Sequence, residues 1–239
     1  MSEPAFAHGS TGRLTAHDLG RFRGETLFDR LGRAVCEAGC LPRKELYEAW
    51  EMARRVRRVC RGGRVVDLGG GHGLLAQVML LLDDTSPSAL VVDAVLPASH
   101  AVLQAAIAAA WPRLSGRVGF AEQRSEDVAL SAEDLVVSCH ACGALSDGVL
   151  DRAIGARARV AVLPCCHDHA RGDAGDLAGW MPADLAIDAT RAARLRHEGY
   201  RVWTKTIPAE VTPRNRLLIG VPADQGAAAP DATSARRPS

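Results

Sequence analysis

The sequence predicts an α/β protein: a seven-stranded, mostly parallel sheet whose last strand runs antiparallel, with helices on both faces and a helical extension in front. Three observations carry this expectation. From Arg64 to Leu163, short β-branched runs alternate with helical patterns, and such alternation builds a parallel sheet covered on both sides. Early in that region an apolar run ends in Asp67 and passes through Gly69-Gly70-Gly71-His72-Gly73 into a helix, the opening of nucleotide-binding sheets. Late in the chain, Tyr200–Ile207 and Arg216–Val221 read as strands joined by about eight residues, too few for a crossover helix, so they pair antiparallel.

Taken in order, residues 1–20 are polar, contain glycine and show no period, and are expected to form a flexible arm. Residues 21–60 form a helical segment. Leu41-Pro42 interrupts it, and Pro42 suits the first turn of a new helix. Within Lys44–Arg61, Met52, Val56 and Val59 mark an apolar face. Arg54, Arg57, Arg58 and Arg61 form a stripe opposite it, with Arg55 at the edge. The stripe reads as a solvated face or as a basic rim that grips a phosphate-bearing partner such as RNA.

The sheet domain spans 61–222. Its strands are expected at Arg64–Asp67, Ala89–Asp93, Arg117–Ala121, Asp134–Cys139 and Arg159–Leu163, followed by the late antiparallel pair. Helices are expected at Leu74–Leu82, His100–Ala110, about Gly148–Ala158 and Ala183–His197. Residues 223–239 are Ala, Pro, Ser and Asp without pattern, and are expected to be a disordered tail. In such a sheet ligands bind beyond the carboxyl ends of the strands, where Asp67, Asp93, Glu126, His140 and Cys165 fall.

Composition excludes several classes. Length suits one domain with additions. A net charge of +1 supplies no global field toward nucleic acid. No apolar run approaches the ~20 residues of a membrane span, and the amino terminus lacks a signal pattern. Seven cysteines without a secreted framework's spacing point to a reducing cytoplasm.

The pattern Asp67-x-Gly69-x-Gly71-x-Gly73 resembles the first motif of class I S-adenosylmethionine (SAM) methyltransferases. Embedded in it, Gly71-x-Gly73-x-x-Ala76 also fits part of a dinucleotide fingerprint, which leaves an NAD oxidoreductase as an alternative. Four segments sharpen the resemblance: Val66–Gly73, His140-Ala-Cys-Gly-Ala-Leu-Ser-Asp147, Leu163-Pro-Cys-Cys-His167 and Ile207–Gly220. Together they are similar to the methyltransferase-like domain of glutathione S-transferase C-terminal-domain-containing proteins. More distantly, they are similar to eukaryotic tRNA 2′-O-methyltransferases. The resemblance implies a Rossmann-like fold, SAM as cofactor and methyl transfer, with RNA slightly favoured as acceptor over protein or a small molecule. A SAM-binding module without transfer is the other alternative.

The resemblance also implies roles. Asp67 would lie near the cofactor's ammonium, with Gly69, Gly70, Gly71 and Gly73 letting the backbone approach it. Asp93 would take the ribose hydroxyls, and Glu126 and Asp127 would stand near adenine. His140 and His167 are the candidate bases, with Cys142, Pro164, Cys165 and Cys166 completing a wall for the acceptor. Cys139, Cys142, Cys165, Cys166, His167 and His169 together offer a zinc-type donor set, but without a second Cys-x-x-Cys pair the expectation is that they hold no metal.

Overall fold

A computed structural model describes residues 6–140 and 143–225. Seven strands form one sheet in the order β3-β2-β1-β4-β5-β7-β6. They are β1 (Val65–Leu68), β2 (Ala89–Asp93), β3 (Val118–Glu122), β4 (Leu135–Ser138), β5 (Arg159–Val162), β6 (Tyr200–Thr206) and β7 (Arg216–Pro222). The first five run parallel, β1 pairing with β2 on one side and β4 on the other. β7 enters antiparallel between β5 and β6, as the short connection requires.

Among the described residues six helices surround the sheet: α1 (Leu27–Ala38), α2 (Arg43–Val56), α3 (Leu74–Leu82), α4 (His100–Ala110), α5 (Ala144–Ala156) and α6 (Ala183–His197). Leu31, Leu46, Leu75 and Leu103, one from each of α1–α4, share a core with Val65, Val91 and Val137. Leu150 of α5 and Leu195 of α6 share the other core with Val66, Val136 and Val160. Successive strand residues point to opposite faces. Val65 therefore belongs to the first core, Val66 and Leu68 to the second, and Asp67 is directed with Val65 toward α2 and α3. α3 is buried from Leu74 through Leu81 because the sheet lies beneath it and α2 above it.

The expected loose arm is not loose where the structure describes it. Leu14 is fully buried, and its N–H donates to Leu41 O at 2.9 Å. A short 3-10 helix, Ala16–Arg21, leads to Phe22, which lies so close over Gly32 that a Cβ there would meet its ring at 2.3 Å. Polarity hid this segment. Two isolated apolar residues, Leu14 and Phe22, anchor it by filling gaps beside α1 and α2, and no periodic pattern announces such plugs. At the other end, Gln225 Nε2 donates to Ala132 O and Arg157 O, both at 2.9 Å, and 226–239 lie outside the described residues. α5 begins four residues before the expected Gly148.

The arginine stripe also differs. α2 ends at Val56, so Arg57, Arg58 and Arg61 do not share a helix face with Arg54. Arg54 and Arg55 both pair with Glu51, and Arg55 Nε donates to Thr206 O at 2.7 Å. Arg159, at the start of β5, donates to Arg61 O at 2.5 Å and Gly62 O at 2.8 Å. This turn therefore sits at the amino ends of the strands, opposite the ligand side.

If Leu14 is a structural plug, Leu14→Ala should destabilise the protein by about 2–4 kcal/mol in urea unfolding, the usual cost of emptying a fully buried leucine site. A loose arm would leave the midpoint unmoved.

Candidate active site

The carboxyl ends of β1, β2 and β4 meet around the glycine turn. Gly69 and Gly70 N–H both donate to Val92 O, at 2.8 and 3.2 Å, tying the turn to the end of β2. Gly73 N–H donates to Gly70 O at 2.8 Å and closes it. Two glycines matter for different reasons. Gly73 has φ +75° and no room, since a Cβ would lie 2.7 Å from Val91 and 2.9 Å from Phe120. Gly71 has φ +50° and open space, with no atom within 4 Å of where a Cβ would stand. The first serves packing; the second leaves the backbone accessible from the ligand side.

Asp93, ending β2, accepts from Gly71 N at 3.0 Å through Oδ2, and from Val95 N at 3.4 Å through Oδ1. Its carboxylate thus braces the turn while standing beside the open backbone. His72 Nε2 lies 2.9 Å from Ser99 Oγ at the start of α4. Ser138, fully buried at the end of β4, donates to Leu68 O at 2.6 Å and pins the two strand ends together.

Asp67 is 1% exposed, and its Oδ2 has no hydrogen-bond partner. Burial pushes its pKa up to about 7; the Ala76 backbone opposes this, and nearby Asp93 adds to it. The cleft above is lined by Glu45, Asp67, Gly69, Gly70, Cys139 and His140. Glu45, like Glu48, comes from α2. Burial, then repulsion from Glu48, lifts Glu45 to about 7, and burial raises Glu48 as well. His140 keeps 41% of its side chain open, yet protein surrounds the ring closely enough that desolvation, then Lys44, lowers its pKa to about 4. At neutral pH it is an uncharged imidazole.

Neither Glu45 nor Glu48 figured in the sequence expectation. A signal existed: Glu48 lies four residues before Met52 and eight before Val56, on the apolar seam of α2, where a carboxylate needs a reason.

The wall expected opposite His140 is only half present. Leu163 N–H donates to Ser138 O at 3.0 Å and Gly143 N–H to Cys166 O at 3.1 Å, so the segments after β4 and β5 do adjoin. The side chains then part. Pro164 lines a separate hollow against α6 and β7 with Asp188 and Arg216. His167 has a 1% exposed side chain whose Nε2 lies 2.8 Å from Asp188, and Arg191 and Arg216 bond the same carboxylate. This places His167 in a buried ionic network and corrects its reading as a base open to an acceptor. His169 pairs with Asp184. Burial, then Glu48, Asp67 and Cys165, raises the Cys139 thiol's pKa; Cys165 is partly exposed and Cys166 exposed. Cys142 lies outside the described residues. Glu126 is exposed and paired with Arg124 at 3.0 Å, and Asp127 is exposed beside it. Among the described residues no helix is long and apolar enough to cross a membrane.

Residues 44–172, more than half of the chain, match the model of a methyltransferase domain family. No curated protein sequence matches. A solved O-methyltransferase family protein from Burkholderia thailandensis is 20% identical with a TM-score of 0.46, covering 87% of this chain and 68% of that one. A Nostoc punctiforme protein assigned to the O-methyltransferases is 15% identical with a TM-score of 0.51, covering 80% and 59%. The tRNA m1A22 methyltransferase TrmK of B. subtilis is 14% identical with a TM-score of 0.49, covering 72% and 65%. The chain thus spans 59–68% of the length of these three, and the likeness to the Nostoc protein is one of fold.

The buried acids give a pH prediction. Asp67 keeps its proton in the folded chain where the unfolded chain has lost it, so unfolding releases a proton between about pH 4 and about pH 7. Its contribution is complete below the unfolded value and is lost as pH rises through about 7. Unfolding of the unliganded protein should show stability falling across that window, by on the order of 3–4 kcal/mol for Asp67 alone. Asp67→Asn should flatten the profile, and an unchanged slope would show that this carboxyl is ionised in the folded state.

Proposed function

The chain belongs to the methyltransferase domain family matched by residues 44–172, and we propose that it transfers a methyl group from SAM bound over the Gly69–Gly73 turn. The observation that carries this reading is the pairing of two acids across an open backbone. Asp67 Oδ2 sits unpartnered beneath the turn, Asp93 stands at its rim, and Gly71 between them faces empty space. A ligand with an ammonium, a ribose diol and no phosphate fits this set. The ammonium would satisfy Asp67 and the diol would bond the outer face of Asp93. Glu126 and Asp127, in the turn after β3, would stand near the base.

Methyl transfer is an in-line displacement at a sulfonium carbon, so holding acceptor and donor in line supplies much of the rate. His140 stands at the acceptor side of the cleft, and its uncharged ring offers a lone pair to whatever binds there. RNA remains our reading of the acceptor, on the His140–Asp147 and Leu163–His167 segments alone. Of the arginines expected to grip it, Arg61 lies in the turn at the amino ends of the strands, and Arg54 and Arg55 are paired with Glu51. Destruction of methyl acceptance in a cell extract by RNase supports that reading, and destruction by protease overturns it.

Calorimetry with SAM and S-adenosylhomocysteine tests the cofactor directly. Gly71→Asn keeps a residue that tolerates positive φ but fills the open approach, and should weaken SAM binding at least ~10-fold with little change in melting. Unchanged affinity in the folded variant would place the cofactor elsewhere. His140→Ala should leave SAM affinity nearly intact and lower radiolabel transfer, and a comparable loss of both would assign His140 to the cofactor.

A further inference from the structure

Glu48 poses a problem that the methyl-donor reading leaves open. Its side chain is 2% exposed; Lys44 Nζ reaches Oε1 at 3.4 Å, and the Thr212 hydroxyl also stands beside the carboxylate. Oε2 is buried without a hydrogen-bond partner. A buried, half-satisfied carboxylate costs more than it returns unless something cationic or protic meets it. What it faces is specific. His140 Nε2 stands 4.0 Å from Oε2, and the Cys139 thiol completes a set whose ligand atoms all lie within 4.8 Å of one another.

We propose that Glu48, Cys139 and His140 bind a zinc-type transition-metal cation at the mouth of the cleft. The donors come from two elements fixed by other forces. Glu48 is held by the apolar seam of α2, and Cys139 and His140 follow β4, whose last residue, Ser138, is pinned to Leu68. Thiolate, imidazole and carboxylate together select zinc over magnesium or calcium, which prefer all-oxygen sites. Tetrahedral bonds of ~2.0–2.3 Å place donor atoms roughly 3.3–3.8 Å apart, so closure requires a contraction of about 1 Å. Three protein donors leave one position open, the arrangement of catalytic rather than structural zinc. That position borders the cleft that also holds Asp67 and Gly69, where it would anchor a heteroatom of the acceptor. Only this last placement rests on the methyl-transfer reading; the donor set stands without it.

Cobalt(II) titration of the full chain, stripped with chelator, tests the site. One equivalent should bind with the near-ultraviolet charge-transfer absorption of a thiolate–cobalt bond, and zinc should displace it. Cys139→Ser should abolish that absorption. Glu48→Gln, which preserves shape, should weaken binding by more than ~100-fold, beyond the 10–100-fold typical of a residue that only supports a ligand. Cys40→Ser, in the turn between α1 and α2, should change nothing. Circular dichroism of each variant establishes that it is folded. Absence of the absorption in folded wild-type protein, or its survival in Cys139→Ser, overturns the site. SAM calorimetry on the stripped protein reads the donor site independently, so failure of one is distinguishable from failure of the other.

Discussion

Everything at the ligand side follows from where β1 sits. It pairs in parallel with β2 on one flank and β4 on the other, so the chain leaving β1 turns one way and the chain leaving β4 turns the other. The two departing loops cannot cover the same ground, and a crevice opens between them. Strand alternation then decides what lines it. Asp67 is directed toward α2 and α3 because Val66 and Leu68 are directed away. The turn cannot slump into the gap, because Gly69 and Gly70 are bound to Val92 O and Gly71 to Asp93.

The cleft is electrostatically unfinished. Three carboxyls, Glu45, Glu48 and Asp67, converge at a place where burial favours their protonated forms. A purely structural interior would replace such groups with apolar ones of similar size, which pack at lower cost. Their retention fits a site that meets positive charge. A cationic ligand bound there would relieve the imbalance and would couple binding to ionisation.

Much of the fold was legible in the sequence, and the reason is local. α3, β2, α4 and α6 lie where periodicity placed them, because each has a continuous apolar signal bounded by turn residues. The glycine turn was legible for the same reason, since acid, glycines and helix follow one another directly. What escaped depends on contacts between distant segments. Leu14 is a plug only because Leu41 and α1 are there to receive it. His167 looked like a base because Asp188, 21 residues on, is invisible to a local reading. Glu48 looked like an ordinary helix acid until β4 placed Cys139 and His140 against it. The arginine stripe failed by a turn: a helix extended past Val56 would align it, and the real helix stops first.

The late hairpin has a consequence for how molecules meet one another. β7 lies between β5 and β6, so β6 forms one margin of the sheet, with an outer row of backbone donors and acceptors. A second chain could extend the sheet by pairing there. Arg201 and Lys205 are exposed on that strand, with Thr204 and Thr206 beside them. An incoming strand would have to dehydrate those charges, and cationic residues along a margin disfavour such growth. The insertion that completes the sheet thus leaves a charged strand outermost, one poorly suited to templating aggregation.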